Sequence, residues 1–179
     1  VIPALNANSI YEVPLSFEEE GLAEIILEKL CMKVKQPDLG RWKSINKVLK
    51  KPAGEVRIGI VGKYVDLKES YKSLTEALIH GGIGNKVTVK INWVDAEALE
   101  EEKGLKQLAG CDGVLVPGGF GDRGIEGKIN AVQYARENKV PYFGICLGMH
   151  CAVIEFARHV TGLKNANSSE FSTKSPYLV

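Results

Sequence analysis

An open α/β fold of the flavodoxin-like kind, a parallel sheet with helices on both faces, is what these 179 residues predict. Three observations lead there. From Glu55 onward, short β-branched runs alternate with segments of helical period, the pattern that gives a parallel sheet covered by helices. Two of those runs end in glycine-rich turns that lead straight into helices. The composition, 45% hydrophobic and 25% charged, suits one sizeable buried core with some chain to spare.

The elements follow in chain order. Ser9-Ile-Tyr-Glu-Val13 reads as a short strand, and Ser16 with Glu19 forms a capping box for a helix carrying Leu22, Ile25, Ile26 and Leu30 on one face. Residues Lys33 to Gly54 are basic and polar, with Pro37 and Pro52 and a short helical pattern at Trp42, Ile45 and Leu49, which reads as a linker. A new domain is expected near Glu55. Val56 to Val61 is the first of its strands, followed by a helix with Tyr71, Leu74, Leu78 and Ile79, ended by His80 before Gly81-Gly82. Val87, Val89, Ile91 and Trp93 alternate with polar residues as a half-buried strand. A short acidic helix around Ala96 to Leu108, a buried strand Gly113 to Val116, a loop Pro117 to Gly124 and a helix marked by Ile125, Ile129 and Val132 come next. The fourth strand, Val140 to Ile145, ends at Cys146, and helical spacing resumes at Leu147. The tail from Gly162 shows no further strand.

Charge excludes little but weakens two classes of function. Twenty-three Lys and Arg against 22 Asp and Glu give a net +1, too weak a field to argue for nucleic acid or an anionic membrane surface. No apolar run reaches the roughly 20 residues that span a bilayer, and the start Val1-Ile-Pro-Ala4 is unlike a signal peptide. Beginning on valine, the sequence reads as part of a longer chain. Four cysteines without a C-x-x-C pair point to reduced thiols and a cytosolic setting.

The sharpest motif is Gly144-Ile-Cys-Leu-Gly148, a nucleophile flanked by small residues where a strand turns into a helix. Such an elbow forces the central residue into strained backbone, and its flanking glycines let the chains pass without Cβ clashes. It aims the thiol of Cys146 at a helix N-terminus whose unpaired amides favour an anion and can hold a tetrahedral oxyanion. The plainer reading makes Cys146 a small core residue; Cys31, Cys111 and Cys151 are all expected to be that. The loop Gly118-Gly-Phe-Gly121 follows the strand expected beside the nucleophile strand and offers a second oxyanion donor. Gly119-x-Gly-x-x-Gly124 also matches a dinucleotide fingerprint, but the next strand ends at Cys146 and not at an acidic residue. Gly59 to Lys63 has the wrong spacing for a phosphate loop and is more simply a strand end. Of three histidines, His159 lies too far along its helix to reach Cys146. His150, one turn from Cys146, can line the pocket but stands behind the nucleophile.

Pro117-Gly-Gly-Phe-Gly121, Gly144-Ile-Cys-Leu-Gly-Met149 and Asn165-Ala-Asn-Ser-Ser-Glu-Phe171 together resemble the glutaminase domain of the CTP synthase family, a class I glutamine amidotransferase. Ile10 to Pro14 resembles the end of that family's synthetase domain; Val61-Gly-Lys-Tyr64 and Tyr71-Lys-Ser73 resemble the opening of its glutaminase domain. The resemblance implies three segments: 1–32 as the end of the synthetase domain, 33–54 as linker, and 55–179 as the first part of the amidotransferase domain. It implies that Cys146 forms a glutamyl thioester, that the amides of Gly119 and Leu147 hold the oxyanion, and that Glu170 holds the α-amino group of L-glutamine. Gly148, Met149 and His150 would complete the substrate site, with His150 standing where the family usually has glutamine. No cofactor serves this half. For the complete enzyme the resemblance implies a ligase of pyrimidine nucleotide biosynthesis: ammonia passes to the synthetase domain, where ATP and Mg2+ support amination of UTP, GTP activates, and the cytoplasmic protein is a homotetramer. The family's catalytic histidine and glutamate fall beyond residue 179, so the expectation is an incomplete fold, an exposed sheet edge and little glutaminase activity. A non-catalytic remnant, another class I amidotransferase, or an unrelated flavodoxin-like hydrolase pairing Cys146 with His150 remain as alternatives.

Overall fold

A computed structural model describes residues 1–33, 35–63, 65, 67–119, 121–172 and 174–179, with the backbone alone at Lys68. Tyr64 and Phe120, both part of the motifs above, lie outside the described residues. The chain forms two compact units, Val1–Gly54 with His80–Thr88, and Glu55–Ile79 with Val89–Val179.

The first unit is helical. Helices α1 (Val13–Glu19) and α2 (Leu22–Lys29) are separated by Gly21, whose φ of 70° only glycine adopts cheaply. The expected strand at Ser9–Val13 is instead a turn, closed by the Tyr11 amide donating to Ser9 Oγ, and among the described residues no strand pairs with it. The capping box fails because α1 starts at Val13, with Pro14 in its first turn, leaving Ser16 inside the helix. Ile25, Ile26 and Leu30 share a face as expected, but that face is exposed. Helix α3 (Gly40–Lys50) fulfils the Trp42/Ile45/Leu49 pattern. Its buried Asn46 donates through Nδ2 to the carbonyls of Tyr11 (2.6 Å) and Trp42 (3.0 Å), and Lys50 pairs with Glu12 at 2.7 Å. His80 does not end a helix. Helix α4 (Lys72–Asn85) runs on through Gly81 and Gly82, and His80 Nε2 meets the Tyr11 hydroxyl.

The second unit holds the sheet. Its strands β1 (Gly54–Gly62), β2 (Val87–Asp95), β3 (Gly113–Val116) and β4 (Tyr142–Gly144) lie in the order β2-β1-β3-β4, with β1, β3 and β4 parallel. This is the order of a doubly wound sheet, whose ligands gather beyond the strand C-termini. The acidic segment after β2 forms two 3-10 turns, Glu97–Glu100 and Glu102–Leu108, not an α-helix. Helices α5 (Ile125–Glu137) and α6 (Leu147–His159) pack on each other. Val61, Val94, Leu99, Val114, Val116 and Ala131 make one buried cluster; Ile125, Ile129, Leu147, Cys151 and Ile154 make the other. Between α5 and α6 Arg136 donates to the buried Glu155 carboxylate at 2.7 Å, and His159 Nδ1 meets the same carboxylate at 3.2 Å. Against expectation the tail adds two strands, β5 (Ala166–Asn167) and β6 (Tyr177–Leu178), paired parallel. Two-residue ladders are too short to leave a periodic signal. Among the described residues no helix is long and apolar enough to cross a membrane.

Candidate active site

Register sets the geometry. Val116 of β3 stands opposite Gly144 of β4, and the Ile145 amide donates to Val116 O at 2.9 Å, so both strands end level and their following loops run side by side. The loop after β3 has no side chain at Gly118. A Cβ there would lie 3.4 Å from Cys146 Cβ and 3.8 Å from Ile145 O. A Cβ at Gly119 would lie 3.9 Å from Leu147 Cδ2.

Cys146 is the residue before α6, with φ 53° and ψ −107°, a conformation that costs a non-glycine residue on the order of 1–3 kcal/mol. Its neighbours over-determine it. At Gly144 a Cβ would fall 2.4 Å from the Gly148 carbonyl group, and at Gly148 one would fall 2.1 Å from Val116 O, so the turn closes only with glycine at both places. Met149 N donates to Cys146 O at 2.9 Å and Gly148 N to Ile145 O at 3.0 Å, while Tyr142 Oη donates to Gly148 O at 2.7 Å. Leu147, the first residue of α6, has no intrahelical acceptor for its amide. The thiol of Cys146 is exposed, beside that helix end, and the core reading of this cysteine is thereby corrected. Cys111 and Cys151 are buried as expected, but Cys31 is exposed: it follows α2, whose apolar face is itself uncovered.

The tail supplies the remaining predicted residues. Ser168 is buried, and its Oγ meets His150 Nδ1 at 3.3 Å and accepts from the Glu170 amide at 3.3 Å. Arg158 Nε donates to Ala166 O at 2.8 Å, and Phe171 packs against the Leu147 cluster. The first turn of α6 and the Asn165–Phe171 stretch are therefore joined through His150, while the Glu170 side chain and Met149 stay exposed.

Sequence reasoning missed the cations behind the glycine loop. Lys63 Nζ donates to Gly121 O at 2.7 Å, and Arg123 donates to Lys63 O at 3.2 Å and pairs with Glu97 at 2.8 Å. Burial, reinforced by Arg123, pulls the Lys63 ammonium below its ordinary range; Asp122, Cys151 and Glu170 act in the opposite sense. Lys128, in the first turns of α5, is only 1% exposed, and burial together with Lys63 brings it down to about 8. A lysine between Glu126 and Asn130 reads as helix surface, and nothing in the sequence shows the loop that covers it. Among the described residues no group of three or more His, Cys, Asp or Glu is placed to hold a metal ion.

A strained thiol at a helix N-terminus, with a side-chain-free loop against it, can attack a carbonyl and place the resulting oxyanion among backbone donors. Comparisons with known proteins identify the family. Residues 66–175 match the class I glutamine amidotransferase family. A CTP synthase of Maridesulfovibrio salexigens is 60% identical over 96% of this chain and 32% of its own length. Those of Carboxydothermus hydrogenoformans (58%) and Methanocaldococcus jannaschii (54%) are matched over the whole chain and 34% of theirs. The chain thus spans about a third of the length of these relatives. The glutaminase domain of Trypanosoma brucei CTPS, solved with bound acivicin, is 47% identical with a TM-score of 0.66, over 69% of this chain and 48% of that one.

Proposed function

This chain belongs to the class I glutamine amidotransferase family, and from that premise we propose that it carries the nucleophile half of a glutaminase site serving a CTP synthase. The observation that carries the proposal is Cys146 at φ 53°, held between Gly144 and Gly148 with Gly118 against its Cβ.

The Cys146 thiolate attacks the side-chain amide carbon of L-glutamine. The amides of Gly119 and Leu147 take the oxyanion; collapse of the intermediate breaks the C–N bond as the leaving nitrogen gains a proton, giving ammonia and a glutamyl thioester. Water then releases glutamate and restores the thiol. Glu170 holds the substrate α-amino group, and Gly148, Met149 and His150 border the site. His150 engages Ser168 and His159 engages Glu155, so neither is assigned as the general base, and this chain is expected to acylate at Cys146 but turn over slowly.

Residues 1–32 are assigned to the end of a synthetase domain, 33–54 to the linker and 55–179 to the amidotransferase domain. In the complete enzyme the ammonia is used for ATP- and Mg2+-dependent amination of UTP, with GTP as activator, in a cytoplasmic homotetramer. The nucleotide chemistry belongs to the portion of the relatives outside the matched third, and no step of it is derived from residues of this chain.

The test is intact mass and peptide mapping after exposure to acivicin, an electrophilic glutamine analogue, with and without excess glutamine. Glutamine-protected labelling at Cys146 alone supports the proposal; labelling that ignores glutamine, or that spreads over Cys31 equally, overturns it.

A further inference from the structure

Behind the glycine loop lies a cavity of about 200 Å³ lined by Gly62, Lys63, Tyr71, Pro117, Gly118, Gly119 and Lys128. Its most unusual wall is Lys128. The residue is only 1% exposed, and its side chain lines this cavity. A lysine this far removed from bulk water is uncommon, and a cation in such a place favours an anionic companion.

The neighbouring charges do not supply one. Lys63 adds a second cation, with its Nζ turned to Gly121 O. Cys151, on α6, is a neighbouring group able to become an anion, but burial holds its thiol up at about 11, so it is neutral at physiological pH. The Tyr71 hydroxyl fills the space that a side chain at Gly62 would need: a Cβ there would lie 2.5 Å from Tyr71 Oη. That glycine therefore admits a hydroxyl donor at the same wall.

We propose that this cavity is a binding site for a small anion, a tetrahedral inorganic anion or a small carboxylate, with Lys128 as its buried cationic partner and Tyr71 and Lys63 at its rim. The volume limits the occupant to a few heavy atoms, since pockets for drug-sized ligands run from about 300 to 1,000 Å³. The site is separate from the glutamine site proposed above: it is lined by neither Cys146 nor Leu147, and it shares only the backbone of Gly118 and Gly119 with it. An occupant would press on that backbone from behind. The inference stands on the cavity alone and holds whether or not Cys146 is a glutaminase nucleophile.

The test is a titration of the full chain with sulfate, which does not change charge between pH 7 and 9.5, at constant ionic strength maintained with chloride. Acetate is run in parallel, and calorimetry and thermal unfolding are the readouts. Saturable one-to-one binding is expected, weakened at least about tenfold in Lys128→Met, the loss of a charge-assisted contact. Lys103→Met, an exposed lysine elsewhere, should bind like the parent. Preference for sulfate assigns a tetrahedral anion; preference for acetate assigns a carboxylate. Should Lys128→Met fail to fold, the parent chain alone decides: sulfate binding must weaken from pH 7 to 9.5 as Lys128 loses its proton, with Lys63, Tyr71 and Cys151 the other groups facing it. No saturable binding, equal binding by Lys128→Met, or a pH-independent affinity would each overturn the proposal.

Discussion

The phenol of Tyr142, on the short strand β4, donates to the carbonyl of Gly148 in the first turn of α6 at 2.7 Å. It thereby ties the strand that leads into the elbow to the helix that leaves it. Burial raises this phenol above its ordinary range, so it holds its proton more firmly than an exposed tyrosine and is a donor at neutral pH.

Tyr142→Phe removes that second donor to the Gly148 carbonyl, so stability should fall by about 1 kcal/mol. The rate of acivicin capture at Cys146 should fall with it, because the first turn of α6 loses its anchor. Urea denaturation and a labelling time course check the two effects; unchanged labelling would mean that the glycine packing alone holds the elbow.

The glycines of the second unit's elbow and those of α4 should respond in opposite ways to alanine. Gly144→Ala and Gly148→Ala place a methyl 2.4 and 2.1 Å from backbone atoms, and each should cost more than about 3 kcal/mol or prevent folding. Gly81→Ala and Gly84→Ala meet nothing within 4 Å inside a helix and should stabilise by roughly 0.5–1 kcal/mol. Thermal unfolding of the four variants gives the comparison.

Four thiols should divide into two classes under iodoacetamide at pH 8. Cys146 and Cys31 are exposed and should be alkylated in the native state. Cys111 and Cys151 should react only after denaturation, Cys151 doubly protected by burial and by a thiol pushed up to about 11. Peptide mapping before and after denaturant reads this directly.

Lys128 gives a stability change with a defined sign. Its ammonium titrates near 8 in the fold and near 10.5 when exposed, so between those values the unfolded chain holds a proton that the fold has released. Stability should therefore rise as pH climbs through that window, by at most roughly 3 kcal/mol, and the penalty should be fully present below it. In chloride buffers free of sulfate and carboxylates, Lys128→Met should be the more stable protein at pH 7 and should lose this slope. A flat parent profile from pH 8 to 10 would show that the ammonium is already compensated.

Much of this was legible from periodicity and spacing. The strand Gly113–Val116 and the helices after Gly124 and Cys146 carry strong apolar patterns bounded by glycine, and the elbow is fixed by sterics that Gly144 and Gly148 announce on their own. Ser9–Val13 misled because β-branching describes a side chain's preference and not the presence of a neighbouring strand. The Gly81-Gly82 pair looked like a helix end, yet α4 absorbs it, since two glycines lower helix stability without removing a hydrogen-bond donor. The burial of Lys128 and the meeting of His150 with Ser168 depend on contacts between segments distant in sequence, which no local pattern encodes.

The level ends of β3 and β4 also bear on the order in which the molecule assembles. The loop at Gly118 and the thiol at Cys146 follow different strands joined through α5, so the two meet only once that crossover has docked and the β3–β4 ladder has closed.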